Sequence, residues 1–488
     1  MRDYVQVQSG QWLQVKDEIA VPDEVEKPSR KVESLQANFL ASDLCLYEEI
    51  LQGGEPAFVV YDLATGEYRT VSEVLHGGRT IVPLKGEEID MGAIRLPSGV
   101  AEYGNTLELL KKLEAYIYRY LDVSGDFRKF ASYYVLLSWL YDRFSTLPYL
   151  RFLGDTGVGK SRGLDVIGGV CYRATIVSGC ITPAPIYRLI RRWGGTIVLD
   201  EADLRDSDEY NEVVTILNCG FEKGRPVIRA TKDNPDKLQY LPTYGPKVFA
   251  TRRRFKDAAL EARCLTEIMH ETSRGDIPAT LTSVFYKEQE DLRNRLLLFR
   301  LRNFSRVDSE DSITLDLPGI EPRLRQISAC FASLFGGQPD ILADYRSFIQ
   351  HHQKELIDQR SSTVVGQIVQ ALFSLIESHS LETIETIETN GERLLKVSAG
   401  DIATKVNMNP QTVGQILKTL GLHTKPVKVS GNLRRCIVLD EVKLNTLRRR
   451  YIPQDEEPVS SVSNVSSTEG LRQLDDVMPL AGGKGERL

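Results

Sequence analysis

Short apolar runs suited to strands alternate with helical periods along most of this chain, and their order sketches its organisation. Residues 1 to about 38 are polar and proline-punctuated with no sustained period, which predicts an extended arm or a loosely held subdomain. From Ala57 the pattern changes to β-type runs, Ala57–Tyr61, Glu67–Val71 and Thr80–Leu84, separated by Gly66 and by Gly77 and Gly78. They predict a small β-rich accessory domain. Two helical periods follow, around Leu107–Leu121 and Phe127–Tyr141, whose leucine, tyrosine and phenylalanine spacing marks buried faces. Tyr149–Leu153 reads as a strand, and Thr196–Leu199 is a continuous apolar run of the kind a central parallel strand needs. Glu209–Leu217 is helical, Arg225–Arg229 and Leu238–Leu241 flank a polar turn as a hairpin, and Pro246–Thr251 is a further apolar strand running into Arg252, Arg253 and Arg254.

Beyond Val364 the pattern restarts. Helices are expected at Val365–Ile376, Ala399–Val406 and Asn409–Lys418, the last opened by a capping asparagine with proline in its first turn. Strands Thr424–Val429 and Arg434–Leu439 then flank Ser430, Gly431 and Asn432, an order that resembles a winged helix. After Tyr451 the chain turns rich in Ser, Val and Glu, and disorder is expected.

At 488 residues the chain exceeds what one hydrophobic core organises, so two to four folded units are expected. No stretch approaches the roughly 20 apolar residues needed to cross a bilayer, and Met1, Arg2, Asp3 and Tyr4 lack the basic-then-apolar order of a signal peptide. A cytoplasmic protein without a membrane partner is expected. The seven cysteines never form a C-x-x-C pair, which argues against zinc fingers and disulfide frameworks. A net charge of -6 gives no global sign of a nucleic-acid partner.

Chemistry is concentrated after the strand at Tyr149–Leu153. Gly154, Asp155, Thr156, Gly157, Val158, Gly159, Lys160 and Ser161 fit G-x-x-x-x-G-K-[ST] at every fixed position. The glycines let backbone N–H groups turn inward on phosphates, Lys160 would reach the β- and γ-phosphates of ATP, and the Ser161 hydroxyl would ligate Mg²⁺. Asp200 and Glu201 close the apolar run at 196–199, where Asp200 is suited to hold the metal and Glu201 to take a proton from the attacking water. Adjacent acids favour hydrolysis over simple nucleotide storage. Lys232 and Lys237 flank the hairpin turn, where lysine suits either a solvated tip or a phosphate contact.

These landmarks together resemble AAA+ ATPases, most closely minichromosome maintenance (MCM) helicases and the MCM-like helicases of mobile genetic elements. The resemblance covers about residues 107–337 and runs from the phosphate loop through the "SG" at Ser178 and Gly179 to the acidic strand end and the hairpin at 225–241, where MCM proteins carry a pore hairpin that touches DNA. It implies that Thr251 stands at sensor 1, with the following arginines as competitors, and that Leu260-Glu261-Ala262-Arg263 carries an arginine finger acting in trans. Arg323, with Arg325 as an equal competitor, would be sensor 2. A ring follows, a hexamer by the resemblance. The N-terminal region is too short and too cysteine-poor for the zinc-bearing collar of the replicative relatives.

The expected fold is therefore α/β, a parallel-sheet P-loop ATPase core at 105–275, preceded by a β-rich N-terminal region at 1–104 and followed by a helical lid at 276–360, a winged helix at 361–451 and a tail at 452–488. Between Lys396 and Arg450 eleven lysines and arginines oppose three acids, against the sign of the whole chain. Gln411, Gln415, Lys418 and Thr419 are candidates to contact DNA bases, and Lys428, Arg434 and Arg435 to contact phosphates, although winged helices also bind proteins. The expected activity is that of an ATP-driven DNA helicase or translocase serving replication or mobility of a mobile element, with an initiator, primase or recombinase as partner. The competing expectation is a remodelling or regulatory ATPase acting on a protein.

Overall fold

Alternation within each strand decides how this chain folds, because successive residues feed opposite faces of every sheet. The chain divides into two units, Met1–Leu356 and Ile357–Leu488. The computed structural model describes residues 44–453 except 77–78, 178–181, 201–207, 232–235, 308–316, 318, 379–385, 390–391 and 430–431, together with strands at Tyr4–Gln6, Trp12–Gln14, Val32–Ser34 and Phe39–Leu40. Most of the expected N-terminal arm, and the expected tail from residue 454 onward, lie outside the described residues.

In the first unit, β1 (Cys45–Gln52) and β2 (Glu55–Asp62) pair antiparallel from Cys45↔Asp62 to Gln52↔Glu55, and β3 (Tyr68–Val71) extends the ladder. Leu46, Ile50, Val59 and Tyr61 enter the main core, while Tyr47, Phe58 and Val60 form a small cluster with Ile81. The β-rich region is therefore packed onto the rest of its unit through one face.

The central sheet joins β4 (Ile94–Arg95), β5 (Tyr149–Leu153), β6 (Ala174–Val177), β7 (Ile197–Leu199), β10 (Lys247–Thr251) and β11 (Cys264–Ile268) in the order β4-β6-β7-β10-β5-β11, parallel except at β4. The hairpin strands β8 (Val227–Ala230) and β9 (Leu238–Leu241) form a separate ribbon between β7 and β10 in the chain. Leu150, Phe152, Val198, Val248 and Ala250 face one cluster, built with α1 (Thr106–Tyr120), α2 (Gly125–Trp139), α6 (Ser283–Asn303) and α7 (Pro322–Phe335). Tyr149, Ile197, Leu199 and Phe249 face the other, built with α4 (Pro183–Trp193) and α5 (Asp208–Cys219); α3 is the four-residue start, Lys160–Gly163, of the helix after β5. Both faces being covered, the strands must read as unbroken apolar runs.

The second unit begins within the last turns of α8 (Pro339–Ser361). It contains α9 (Val364–Ser378), β12 (Thr386–Thr389), β13 (Glu392–Ser398), α10 (Ala399–Val406), α11 (Pro410–Thr419), β14 (Thr424–Val429), β15 (Asn432–Val438) and α12 (Glu441–Tyr451), with sheet order β12-β13-β15-β14. Ser398 and Asp401 close a reciprocal capping box on α10, and Asn409 caps α11. Ile368, Leu372, Ile402, Val413, Leu417 and Ile437 form the core. Among the described residues no helix is long and apolar enough to cross a membrane, no acid, His and Cys group is placed to hold a metal, and no disulfide joins the cysteines.

A buried charge network fastens β1 to the central unit. Glu48 accepts from Arg300 Nε at 2.6 Å and from the Tyr172 hydroxyl at 2.7 Å, and Arg300 also grips both carboxylate oxygens of Asp142 at 2.8 Å. On the other face of β1, burial pushes the Glu49 carboxyl up from 4.5 to about 7 against the pull of Arg173 and of the Leu84 backbone. Its folded pKa lies above its unfolded one, so the folded state holds a proton that the unfolded state has lost, and stability falls as pH rises from about 4.5 to about 7. Glu49→Gln should therefore raise stability by up to roughly 3 kcal/mol at pH 8 and change it little at pH 4, read by denaturant melts across pH.

Candidate nucleotide site and a basic groove

The phosphate loop is built by the end of β5. Gly154 N donates to Thr251 O at 3.2 Å, and a Cβ on Gly154 would stand 2.8 Å from the Met269 carbonyl oxygen, so only glycine fits where the strand turns into the loop. Gly159 caps α3 with φ of 90°, a left-handed conformation that aims the following N–H groups into the loop. Lys160 reaches back over the loop, its Nζ donating to the Asp155 carbonyl at 2.5 Å, and Ser161 is exposed beside it. A cationic side chain over a turn of inward N–H groups fits a phosphate chain.

Strand order explains what else gathers there. β10 lies between β5 and β7, with Leu153 level with Thr251 and Leu199 level with Phe249, so Asp200 and Thr251 arrive at the same carboxyl edge as the loop. Asp200 N is tied to Val177 O at 3.0 Å. Thr251 is 1% exposed, and its hydroxyl has no hydrogen-bond partner among the described residues. Buried hydroxyls are normally satisfied. Arg252 and Arg253 follow, exposed, at the same edge. Glu201 and Lys232 lie outside the described residues, whereas Lys237 is exposed beside the β8–β9 ribbon. One face of that ribbon carries Ile228, Leu238 and Tyr240, each more than half exposed.

The two arginines expected to complete the site sit elsewhere. Arg263 precedes β11, its carbonyl accepting from Tyr149 N at 2.9 Å, at the amino edge of the sheet. From there to Gly154 is the length of β5, roughly 16 Å at strand rise, far beyond an arginine's reach. Nor is Arg263 a solvated arginine on a helix: it is 7% exposed, lies 4.1 Å from the Phe221 ring and donates to Asn218 Oδ1 at 2.5 Å. Arg323 lies 5.2 Å from the same ring and donates to Gln326, while Arg325 is exposed. Burial first, and then the Arg323 charge, hold the Arg263 pKa below its ordinary value.

A third arginine went unforeseen. Arg151, wholly buried in β5, grips both Glu261 oxygens at 2.7 and 2.5 Å, and Glu261 also accepts from Arg254 at 2.6 Å and from Phe255 N at 3.1 Å. The segment leading to Arg263 is thus locked to the strand that carries the phosphate loop. An arginine inside an otherwise apolar run always needs such a partner, and this was the available signal.

In the second unit a groove of about 1020 Å³ brings Gln411, Gln415 and Lys418 of α11 opposite Arg434 and Arg435 of β15. Arg434 also meets Asp401 at 3.4 Å, and Arg435 donates to Thr424. Thr419 turns its hydroxyl back onto the Gln415 and Ile416 carbonyls. The Lys428 side chain lies outside the described residues.

No family model matches the chain, and neither does any curated protein. Among solved structures, the apo NrS-1 C terminal region is 12% identical, with 81% of this chain and 96% of that chain covered and a TM-score of 0.36. JCV helicase is 11% identical over 51% of this chain and 66% of that chain, with a TM-score of 0.24. A Thermotoga maritima RuvB mutant is 12% identical over 68% and 97%, with a TM-score of 0.20. Likenesses this faint fix neither fold nor activity.

The loop geometry carries a direct expectation. Lys160→Ala should weaken ATP binding at least about tenfold in a fluorescent-nucleotide titration, because it removes the one ammonium over the cradle. Its melting temperature should hold, since the lysine's hydrogen bond is to an exposed loop. Unchanged affinity would contradict the site.

Proposed function

We propose that this chain is an ATP hydrolase of the AAA+ kind, similar to MCM-like helicases, that drives DNA translocation or unwinding as a ring-shaped oligomer, a hexamer by that resemblance, in replication or mobility of a mobile genetic element. The observation that carries this reading is the separation of charges along β5. The phosphate loop, Asp200 and Thr251 share one edge, while Arg263 and Arg323 are stacked on Phe221 at the other. The loop of the same chain lies beyond the reach of either guanidinium, which supports a role for the pair on a phosphate held by another copy of the chain.

In the proposed cycle Lys160 binds the terminal phosphates and Ser161 and Asp200 hold Mg²⁺, which when bound neutralises charge developing on the phosphate oxygens. Glu201 takes the proton of the attacking water, and the unpartnered Thr251 hydroxyl orients that water. Arg263 of the neighbouring copy stabilises the transferring phosphoryl group, with Arg323 beside it. Turnover moves the hairpin, and with it Lys232 and Lys237, along DNA.

One observation favours a second reading. The apolar ribbon face of Ile228, Leu238 and Tyr240 suits a protein substrate as well as it suits stacked bases, and would serve a remodelling ATPase acting on an initiator, primase or recombinase. Strand displacement on a forked duplex separates the two readings, since only the first requires it. Glu201→Gln should bind ATP normally yet lose phosphate release by about a hundredfold or more, and hydrolysis at the wild-type rate would refute the assigned base.

A further inference from the structure

Gly414 lies in the middle of α11, on its groove-facing side, and the fold gives no reason for a glycine there. In a helix interior glycine costs roughly 1 kcal/mol against alanine. No atom of the protein stands within 4 Å of where its Cβ would lie, and its backbone is outside the left-handed region. A residue that weakens its own helix without relieving an internal clash is explained by something outside the chain that approaches the backbone closely.

The groove says what that object is. Lys418, His423, Arg434 and Arg435 line it, and its one acid, Asp401, is already engaged by Ser398 and Arg434. The Gln411, Gln415 and Lys418 side chains make no hydrogen bond among the described residues, so amide groups face a positively charged wall. Polyanionic flanks with a central strip of donors and acceptors describe the major groove of duplex DNA, where glutamine pairs with both N6 and N7 of adenine. Residues four apart on a helix are about 6 Å apart along its axis, close to two base-pair steps.

Resting on the DNA reading above, we infer that α11 enters the major groove of duplex DNA, where Gln411 and Gln415 read adenines two base pairs apart and Gly414 leaves room for the base-pair edge between them. Arg434 and Arg435 hold the flanking phosphates. This assigns the second unit a sequence-reading role, distinct from the strand-tracking role proposed for the ATPase unit.

The test uses the full-length chain without nucleotide, with fluorescence anisotropy on short duplexes of repeating d(AC)·d(GT), of repeating d(GC)·d(GC), and of d(AC)·d(GT) with 7-deazaadenine in place of adenine. The first duplex should bind at least about tenfold tighter than the other two, and the double variant Gln411→Ala/Gln415→Ala should erase that preference. Gly414→Leu should lose about tenfold or more on d(AC)·d(GT), while Gly414→Ala melts at or above the wild-type temperature, showing that the helix itself prefers a side chain. Equal affinity for all three duplexes, a preference that survives the double variant Gln411→Ala/Gln415→Ala, wild-type binding by Gly414→Leu, or no duplex binding at all would each overturn the inference. Wild-type ATP hydrolysis without DNA is measured alongside. Hydrolysis with failed duplex arms sinks this inference alone, and successful duplex arms without hydrolysis sink the motor reading alone.

Discussion

The length of one parallel strand sets the terms for everything else in this molecule. β5 carries the phosphate loop at its carboxyl end and is level with Arg263 at its amino end, so the cradle and the guanidinium pair are kept roughly 16 Å apart within one chain. No side-chain rearrangement closes that distance. Arg151, gripping Glu261 from the middle of the same strand, makes the separation rigid, since the segment before Arg263 cannot shift without leaving a buried arginine unpaired.

The remaining buried charges in the first unit work as fasteners in the same way. Glu48, Arg300 and Asp142 join β1 to the core through residues far apart in the chain. Lys247 opens β10 with its ammonium on the carbonyls of Thr243 and Gly245, at 2.8 and 3.0 Å, next to the root of the β8–β9 ribbon. Burial pushes its pKa down to about 7, yet those carbonyls favour the charged form, and the ribbon root is therefore held by a group whose hydrogen bonds replace the missing counterion.

Local signals made part of this legible in the sequence. Tyr149–Leu153 and Pro246–Thr251 read as strands and Thr196–Leu199 as a central one buried on both faces, and the capped helices of the second unit were visible from Asn409 and Pro410 and from apolar period. What stayed hidden was set by distant partners. β1 reads as polar at Glu48 and Glu49 because their burial depends on Arg300, 252 residues away, and on Arg173. β12 and β13 alternate polar and apolar residues too weakly to stand out from a loop, and the two-residue β4 exists only because β6 offers it an edge. That Arg263 lies on Phe221 rather than in solvent follows from a helix and a turn that no spacing within Leu260–Arg263 encodes.

A mixing experiment tests the shared-site account most directly. Lys160→Ala and Arg263→Ala chains, each folded and each unable to hydrolyse ATP alone, should regain activity when combined, approaching about a quarter of the wild-type rate if copies assort at random around a ring. If the mixture stays inactive while the two chains demonstrably associate, or if the Arg263→Ala chain alone hydrolyses ATP at the wild-type rate, the site is not completed by a neighbour and the account is wrong.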